Sequence, residues 1–463
     1  MVTRAGMRDF YAIPVIRNRI REYLGADCVY LAQPDQDGWP RLDRIRSSGE
    51  LDALLDSGAD LSRSLWDRRA LIAHLDIEYV NADFPHEVYY DPVRAFQMQR
   101  PVCAAVEKIL ERCGIDALHM LSGRGHHYVW RIDRQSPVFR DLARLGRCND
   151  TLLARYRHTG IPFAARVPEP LGYAFAGLGL VMEYLAGRIK HDAGRVAPIP
   201  VELTDVRVGA GERGREMISL DISEYGDPLY LRLIRIPFTA YRKPGAETVP
   251  QTLAGSGMIV TAIAPSAEPA DREIPVMHDL NHAAQAAEQC TAAVPEASGG
   301  TAALLAEYRT ADLCAFHDAF YRQRAHPPER WAATYDRLPP DSLPPCAARV
   351  LADPNDLLMK PACIEHVVRV LLATGWQARH AAGLIRSRYE RDYGWGTQWL
   401  IHDAATRADF YTRIFAGLFF SGVDDLVDFN CRSIQEKGLC CRPCERCDIA
   451  SLQAALLERR NHV

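Results

Sequence analysis

The segment ALIAHLDIEYVN, residues 70–81, is the strongest constraint on how this chain can fold. Its content and pattern predict a strand, and residues two apart on a strand leave the same face of the sheet. Asp76 and Glu78 therefore point together, while their apolar neighbours point the other way. Two carboxylates so placed either meet solvent or share a divalent cation. Around this strand, VRAFQMQRPVCAAVEKILERCG reads as an amphipathic helix, ALHMLSGRGHHYVWRID as two strands joined by a glycine-rich bend, and SPVFRDLARLG as a helix start. Further strands are expected at EMISLDIS and YLRLIRIPFT, with a helix at FAGLGLVMEYLAGRI. The alternation is that of an α+β protein.

At 463 residues the chain exceeds what one hydrophobic core usually organises, so two or three domains are expected. A net charge of -4 gives no global basic field, and any nucleic-acid contact must rest on local positive potential. The N-terminus lacks the apolar run of a signal peptide and no stretch is long enough to span a bilayer, which points to a cytoplasmic protein without a membrane partner. The first sixty residues read mostly as helices and loops. From about 247 to 302 the composition turns to Ala, Pro, Ser, Gly and Thr, the pattern of a linker, and from 303 onward the chain reads as helical and aromatic.

Chemistry-bearing residues fall in a definite order. Asp221, in ISLDISEYGD, follows an apolar run much as Asp76 does. Three carboxylates on adjacent strands suit one or two Mg2+ or Mn2+ ions, hard cations that bridge to phosphates. In LSGRGHHYVW, residues 121–130, Gly123 and Gly125 allow close backbone approach and present N–H groups to an anion. Arg124 offers a planar fork for phosphate oxygens, and Ser122 and His127 can donate to them. LRLIRIPFTAYRKPG adds Arg235 and Lys243, placed to neutralise a triphosphate. Taken singly, the acid pair also suits a solvated strand face and the bend a plain hairpin. Their joint order narrows the reading.

The order LDIE, SGRGHH, SLDI and IRIPFTAYRKPG, within about residues 70–246, resembles the archaeo-eukaryotic primase superfamily. Its catalytic small subunit carries an acid pair, an S-G-x-G-x-H motif, a third metal-binding acid and an R-x-P…K-x-G segment. The resemblance implies a primase-type catalytic domain with a mixed sheet and flanking helices. It makes Asp76, Glu78 and Asp221 ligands for Mg2+ or Mn2+, and it makes Ser122, Gly123, Arg124 and His127 contacts to a nucleoside triphosphate, with Arg235 and Lys243 assisting. His126 falls at the variable position. The chain departs from the family in having Glu78 where many members have Asp, in lacking the inserted zinc knuckle, and in lacking the usual Ser-x-His near 236–245.

Of 13 cysteines, five crowd between 431 and 447 in NCRSIQEKGLCCRPCERCD, a spacing that suits a metal or an iron–sulfur cluster. LPPCAARVLADPNDLLMKPACIEHVVRVLLATGW, with its P-P-C motif before an H-x-x-R helix, is similar to the iron–sulfur domain of the primase large subunit. That similarity, over about 340–450, implies a [4Fe–4S] site, or Zn2+ in its place, on Cys346, Cys431, Cys440 and Cys444, with Cys447, Cys441 and Cys363 as rivals for the fourth position. Nearby, Arg379, Arg386, Arg388 and Arg391 alternate with Tyr389, Trp395 and Trp399, a mixture suited to single-stranded nucleic acid or to an ordinary amphipathic helix.

The implied organisation is an N-terminal helical segment over 1–60, a primase-like catalytic domain over 61–246, a linker over 247–302 and a helical, large-subunit-like domain over 303–463. The implied activity is template-directed nucleotidyl transfer that makes primers on single-stranded DNA, in a setting that would include a helicase or other replication proteins. The rival readings are an extension-only repair polymerase of the same superfamily and a non-catalytic, cluster-bearing nucleic-acid binder.

Overall fold

Residues Ala70–Asn81 form one unbroken strand, and a six-stranded sheet is built around it. The structure is a computed structural model that describes residues 3–33, 41–204, 206, 208–226, 229, 233–241, 259–263, 270–339, 342–354, 357–391, 402–440 and 447–461. In chain order its strands are β1 (Tyr30–Ala32), β2 (Ile45–Ser47), β3 (Ser62–Ser64), β4 (Ala70–Asn81), β5 (Leu118–Ser122), β6 (Gly125–Asp133), β7 (Val201–Leu203), β8 (Glu216–Asp221), β9 (Leu233–Arg235) and β10 (Ala262–Ile263). The large sheet runs β10-β5-β6-β4-β8-β7 and is mixed: β7 pairs parallel with β8, and the other neighbours are antiparallel. A second, antiparallel sheet runs β2-β1-β3-β9. The class is α+β.

Alternation on β4 decides which side of the sheet is covered. Leu71, Ala73, Leu75 and Ile77 are fully buried, whereas Asp76 and Glu78 are only partly covered. The helix Pro92–Cys113 packs on β4 and β6 from the Ile77 side. It starts where Asp91 accepts from the Arg94 N–H with Pro92 in the first turn, and it ends at Gly114 in the left-handed region, φ 68°. The helix Glu169–Gly194 is buried on nearly all sides between the sheet and the C-terminal helices. Within it Glu183 is fully enclosed and meets Arg413 of the helix Ala404–Phe420 at 3.1 Å and His317 at 3.1 Å. A charge held this deep requires its partners.

Residues 247–302 are not an extended connector where they are described. β10 closes one edge of the large sheet, and the helices Ala270–His278 and Leu280–Gln289 follow it. Ala283 and Ala287 are fully buried, and the second helix packs on Pro14–Leu24. The Arg131 N–H then donates to the Pro295 carbonyl at 2.7 Å, beside β6. Alanines carry little amphipathic signal, yet they let helices approach closely, which is why the composition resembles a linker. The first sixty residues likewise contain β1 and β2 besides helices. The larger of two apolar clusters draws residues from Met7 to Leu456, from both halves of the chain, and a smaller one gathers Tyr79, Phe96, Leu121 and Tyr241. Among the described residues no helix is long and apolar enough to cross a membrane.

Behind the sheet, the imidazoles of His119 and His126 meet at 2.9 Å. Burial pushes His119 down to about 4 and His126 well below its ordinary value, and it pushes His366 in the C-terminal half down to about 3. A histidine with a depressed folded pKa stays neutral while the unfolded chain takes up a proton, so stability is lost as pH falls through the interval between the two values. Stability is therefore expected to drop from pH 6.5 towards 4 by up to about 1.4 kcal/mol per pH unit for each such group. Urea midpoints measured across that interval should show a shallower slope for His119→Gln, by about one proton; parallel slopes for the two proteins contradict this.

Candidate active site

Strand register lines up three polar side chains across the sheet. Asp76 of β4 lies directly opposite His127 of β6 on one side and Asp221 of β8 on the other. One step along β4, Glu78 is opposite Gly125 and Ser219, and Ser122 of β5 sits next to Gly125. Residues paired this way share a face, with Cβ atoms about 4.5–5.5 Å apart. The expected acids and the expected hydroxyl and imidazole therefore lie together on the face of the sheet away from the helix Pro92–Cys113. His126 points to the opposite face, edge-on to Phe96 at 5.2 Å.

Each acid has a present partner. Glu78 Oε2 accepts from Arg124 Nη2 at 2.6 Å, Asp221 Oδ1 accepts from the Ser223 N–H at 2.9 Å, and Asp76 Oδ1 stands 3.4 Å from His127 Nδ1. As the side chains stand, no group of three or more His, Cys, Asp or Glu among the described residues converges on one point that could hold a metal ion. The donor set is nonetheless oxygen throughout, and Asp76 and Asp221 occupy opposed positions on adjacent strands. That chemistry would fit a hard divalent cation between the two aspartates.

Three residues that the sequence reading passed over complete the row. His74 shares a face with Asp76, two residues earlier on β4, and its Nε2 lies 2.9 Å from His127 Nδ1. On its other side His74 Nδ1 lies 3.0 Å from Glu224 Oε1. With Glu224 accepting from Nδ1–H, His74 Nε2 accepts from His127 Nδ1–H, and Nε2 is then the atom through which His127 can meet a ligand. Tyr225 clamps the backbone here, its hydroxyl accepting from the His74 N–H at 3.0 Å and donating to the His74 carbonyl at 2.9 Å. The period-two spacing His74-Asp76-Glu78 carried this signal, while the 3-10 turn Ser223–Tyr225 that supplies Glu224 carried none.

The glycines of the hairpin serve packing. A Cβ on Gly125 would stand 1.8 Å from the Ile77 carbonyl oxygen, and one on Gly123 would stand 2.1 Å from the Tyr241 ring. The side of Gly123 expected to admit a ligand is thus taken by Tyr241, a correction to the reading of that residue. The Arg124 carbonyl accepts from the Tyr79 N–H and from Gln99 Nε2, which ties the bend to β4 and to the helix beneath. Arg235 lies over the Tyr241 ring at 4.9 Å and pairs with Asp60 at 3.4 Å. Burial raises the Tyr241 hydroxyl, against the pull of Arg124 and Arg235 and with a push from Glu78, so these charges surround one ring. Lys243 lies outside the described residues.

At the other end, burial pushes the Cys346 thiol up to about 12, and the nearby thiols of Cys447 and Cys440 add to the rise. Cys447 therefore keeps company with Cys346 and Cys440. Cys431, the first residue of the helix Cys431–Glu436, is exposed, Cys363 is buried, and Cys441 and Cys444 lie outside the described residues. As the side chains stand, Cys346, Cys440 and Cys447 do not converge on a point that could hold a metal ion; a bound metal or cluster would favour their thiolate forms. His366 and Arg369 of the H-x-x-R helix are sealed inside: Arg369 bonds Asp424 at 2.7 Å, Asp428 at 3.0 Å and Glu365 at 3.0 Å. Burial raises Glu365 to about 7 despite the pull of Arg369 and Lys437. The expected basic strip is also largely spent on internal pairs. Arg379 pairs with Asp409, Arg386 with Glu390, and Arg388 and Arg391 with Asp336, while Tyr389 is buried. Trp395 and Trp399 lie outside the described residues.

Compared with known protein families, curated proteins and solved structures, the chain matches none.

Because Gly125 holds the hairpin against β4, Gly125→Ala is expected to cost about 2–3 kcal/mol in denaturant unfolding. Gly299, on the first turn of the helix Ser298–Arg309, has nothing within 4 Å of where a methyl group would stand, so Gly299→Ala should be neutral or mildly stabilising. Equal effects at the two positions would refute the close-packing account.

Proposed function

We propose that this chain is a nucleotidyltransferase with a primase-type catalytic domain, making primers on single-stranded DNA from nucleoside triphosphates. The observation that carries the reading is the register of β6, β4 and β8, which sets His127, Asp76 and Asp221 side by side on one partly open face. In this reading Asp76 and Asp221, with Glu78, hold Mg2+ or Mn2+. When bound, such a cation supplies Lewis acidity toward the attacking 3′-hydroxyl and neutralises charge on the triphosphate. The chain's own part is positioning. His127, oriented by His74 and Glu224, donates to a phosphate oxygen together with Ser122, and Arg124 exchanges its bond to Glu78 for the triphosphate. Arg235 lends charge from behind Tyr241, with Lys243 as a further cation. Cys346, Cys440 and Cys447, with Cys431 or Cys444 completing the set, hold a [4Fe–4S] cluster or Zn2+ in a large-subunit-like domain that contributes to template binding.

The test is incubation of purified protein with unprimed single-stranded DNA, Mg2+ or Mn2+ and labelled nucleotides. Dinucleotides and longer primers are expected, and Asp76→Ala or Asp221→Ala should lower the rate roughly a thousand-fold, equivalent to about 4 kcal/mol. Extension of a supplied primer without dinucleotides would favour the repair-type polymerase, and no cation-dependent incorporation at all would leave a binding protein. Separately, anaerobically purified protein should contain iron and absorb visible light, both reduced in Cys346→Ser; stoichiometric zinc with no iron would replace the cluster by a zinc site.

A further inference from the structure

Residues 159–165 form a tight loop that carries one exposed ring. The Ala164 N–H donates to the Ile161 carbonyl at 3.1 Å, which makes 161–164 a turn with Pro162 second and Phe163 third. Phe163 has φ 63°, in the left-handed region, where such a turn ordinarily takes glycine. A bulky side chain there is an outlier that its surroundings must hold in place. The Thr159 hydroxyl does so by donating to the Ala164 carbonyl at 2.6 Å and accepting from the Ile161 N–H at 3.0 Å, and Ile161, Ala164 and Val167 are buried. Phe163 itself is 55% exposed. The fold thus carries strain to present a ring that its own core leaves uncovered.

The surroundings of the ring lean to one sign. Residues 131–169 hold eight arginines, no lysine and four acids, in a chain whose net charge is -4. Two of the acids are engaged, Asp141 by Arg144 and Glu169 by Arg157. Among the described residues, Arg140, Arg147 and Arg166 are exposed and bond no carboxylate. Arg147 and the loop border the same helix, Glu169–Gly194: Gly146 packs on the Tyr173 backbone, and Tyr156, whose carbonyl accepts from the Val167 N–H at 2.8 Å, packs on Gly172. Arginine forks suit carboxylates and phosphates alike. The rings decide between the two. Phe139 and Tyr156 are buried, so Phe163 is the single exposed Phe, Tyr or Trp among residues 131–169, whereas a nucleic-acid strand stacks successive bases on several rings. One apolar anchor within an arginine rim is the anatomy of a protein–protein contact.

We propose that this surface docks an acidic segment of a partner protein. An apolar side chain of that segment packs on Phe163, and its carboxylates meet Arg166 and Arg147. The inference uses none of the residues of the nucleotidyl-transfer reading, so either can fail without the other.

The full chain, as wild type and as Phe163→Gly and Arg166→Glu, is screened against a displayed library of random short peptides, and the most enriched sequence is synthesised with a fluorescein label for anisotropy. Enrichment of sequences with several Asp or Glu beside a Leu, Ile or aromatic residue is expected, with binding weakened about ten-fold in each variant. Phe163→Gly removes the backbone strain, so its urea midpoint is expected to equal or exceed that of the wild type, which separates lost docking from lost folding. The proposal fails if no acidic sequence is enriched, if the labelled peptide binds either variant as it binds the wild type, or if the midpoint of Phe163→Gly falls. An oligodeoxythymidylate that binds with the same dependence on Phe163 would overturn it in favour of a strand-binding surface.

Discussion

Antiparallel pairing of β4 with β6 and with β8 is the constraint on which the rest depends. A shift of one residue in either pairing would send Asp221 or His127 to the opposite face, because side chains alternate along a strand. The register is held in place by features that allow no slip. Leu75 and Ile77 are fully buried on the covered face, Gly125 admits the Ile77 carbonyl where any side chain would collide, and Tyr225 closes on the His74 backbone where β8 has ended. The aspartates oppose one another because the apolar residues between them have only one place to go.

Charge is treated differently at the two depths of the molecule. On the face that carries Asp76 and Asp221 the acids are partly covered, with Glu78 paired to Arg124, Asp76 beside His127 and Asp221 accepting from the Ser223 N–H. Deeper, Glu183 with Arg413 and Arg369 with Asp424, Asp428 and Glu365 are enclosed, and removing one partner from such a set strands the other at a cost of several kcal/mol. Lys190 of the helix Glu169–Gly194 pairs with Glu202 of β7 at 2.6 Å, and its charge is also felt by Asp424 and Asp428. These buried pairs link the edge of the large sheet to the helices that carry the cysteines. The two halves are therefore expected to move as one body rather than as beads on a linker.

Much of this arrangement was legible from residue order. β4, the β5–β6 hairpin, β8, the long helix Glu169–Gly194 and the helical C-terminal half each have a period or a turn signal long enough to read. The strands carrying Asp76, Glu78, Asp221, Ser122 and His127 were readable from their alternation, and Arg124 stands on the bend between β5 and β6. What escaped was short or non-local. β1, β2 and β10 are two or three residues each, too brief for alternation to register. Glu224 reaches His74 across 150 residues, and Tyr241 reaches Gly123 across a chain crossing that no local pattern encodes. The arginines of 379–391 looked available because their acidic partners, Asp336 and Asp409, lie on other elements.

The central claim is that Asp76 and Asp221 form one cation site. Anomalous diffraction from crystals grown with Mn2+ and a non-hydrolysable nucleoside triphosphate tests it most directly. The account predicts a manganese peak between the two aspartates, with triphosphate density reaching toward His127 and Arg124. Bound manganese at other places, and none between Asp76 and Asp221, would contradict it.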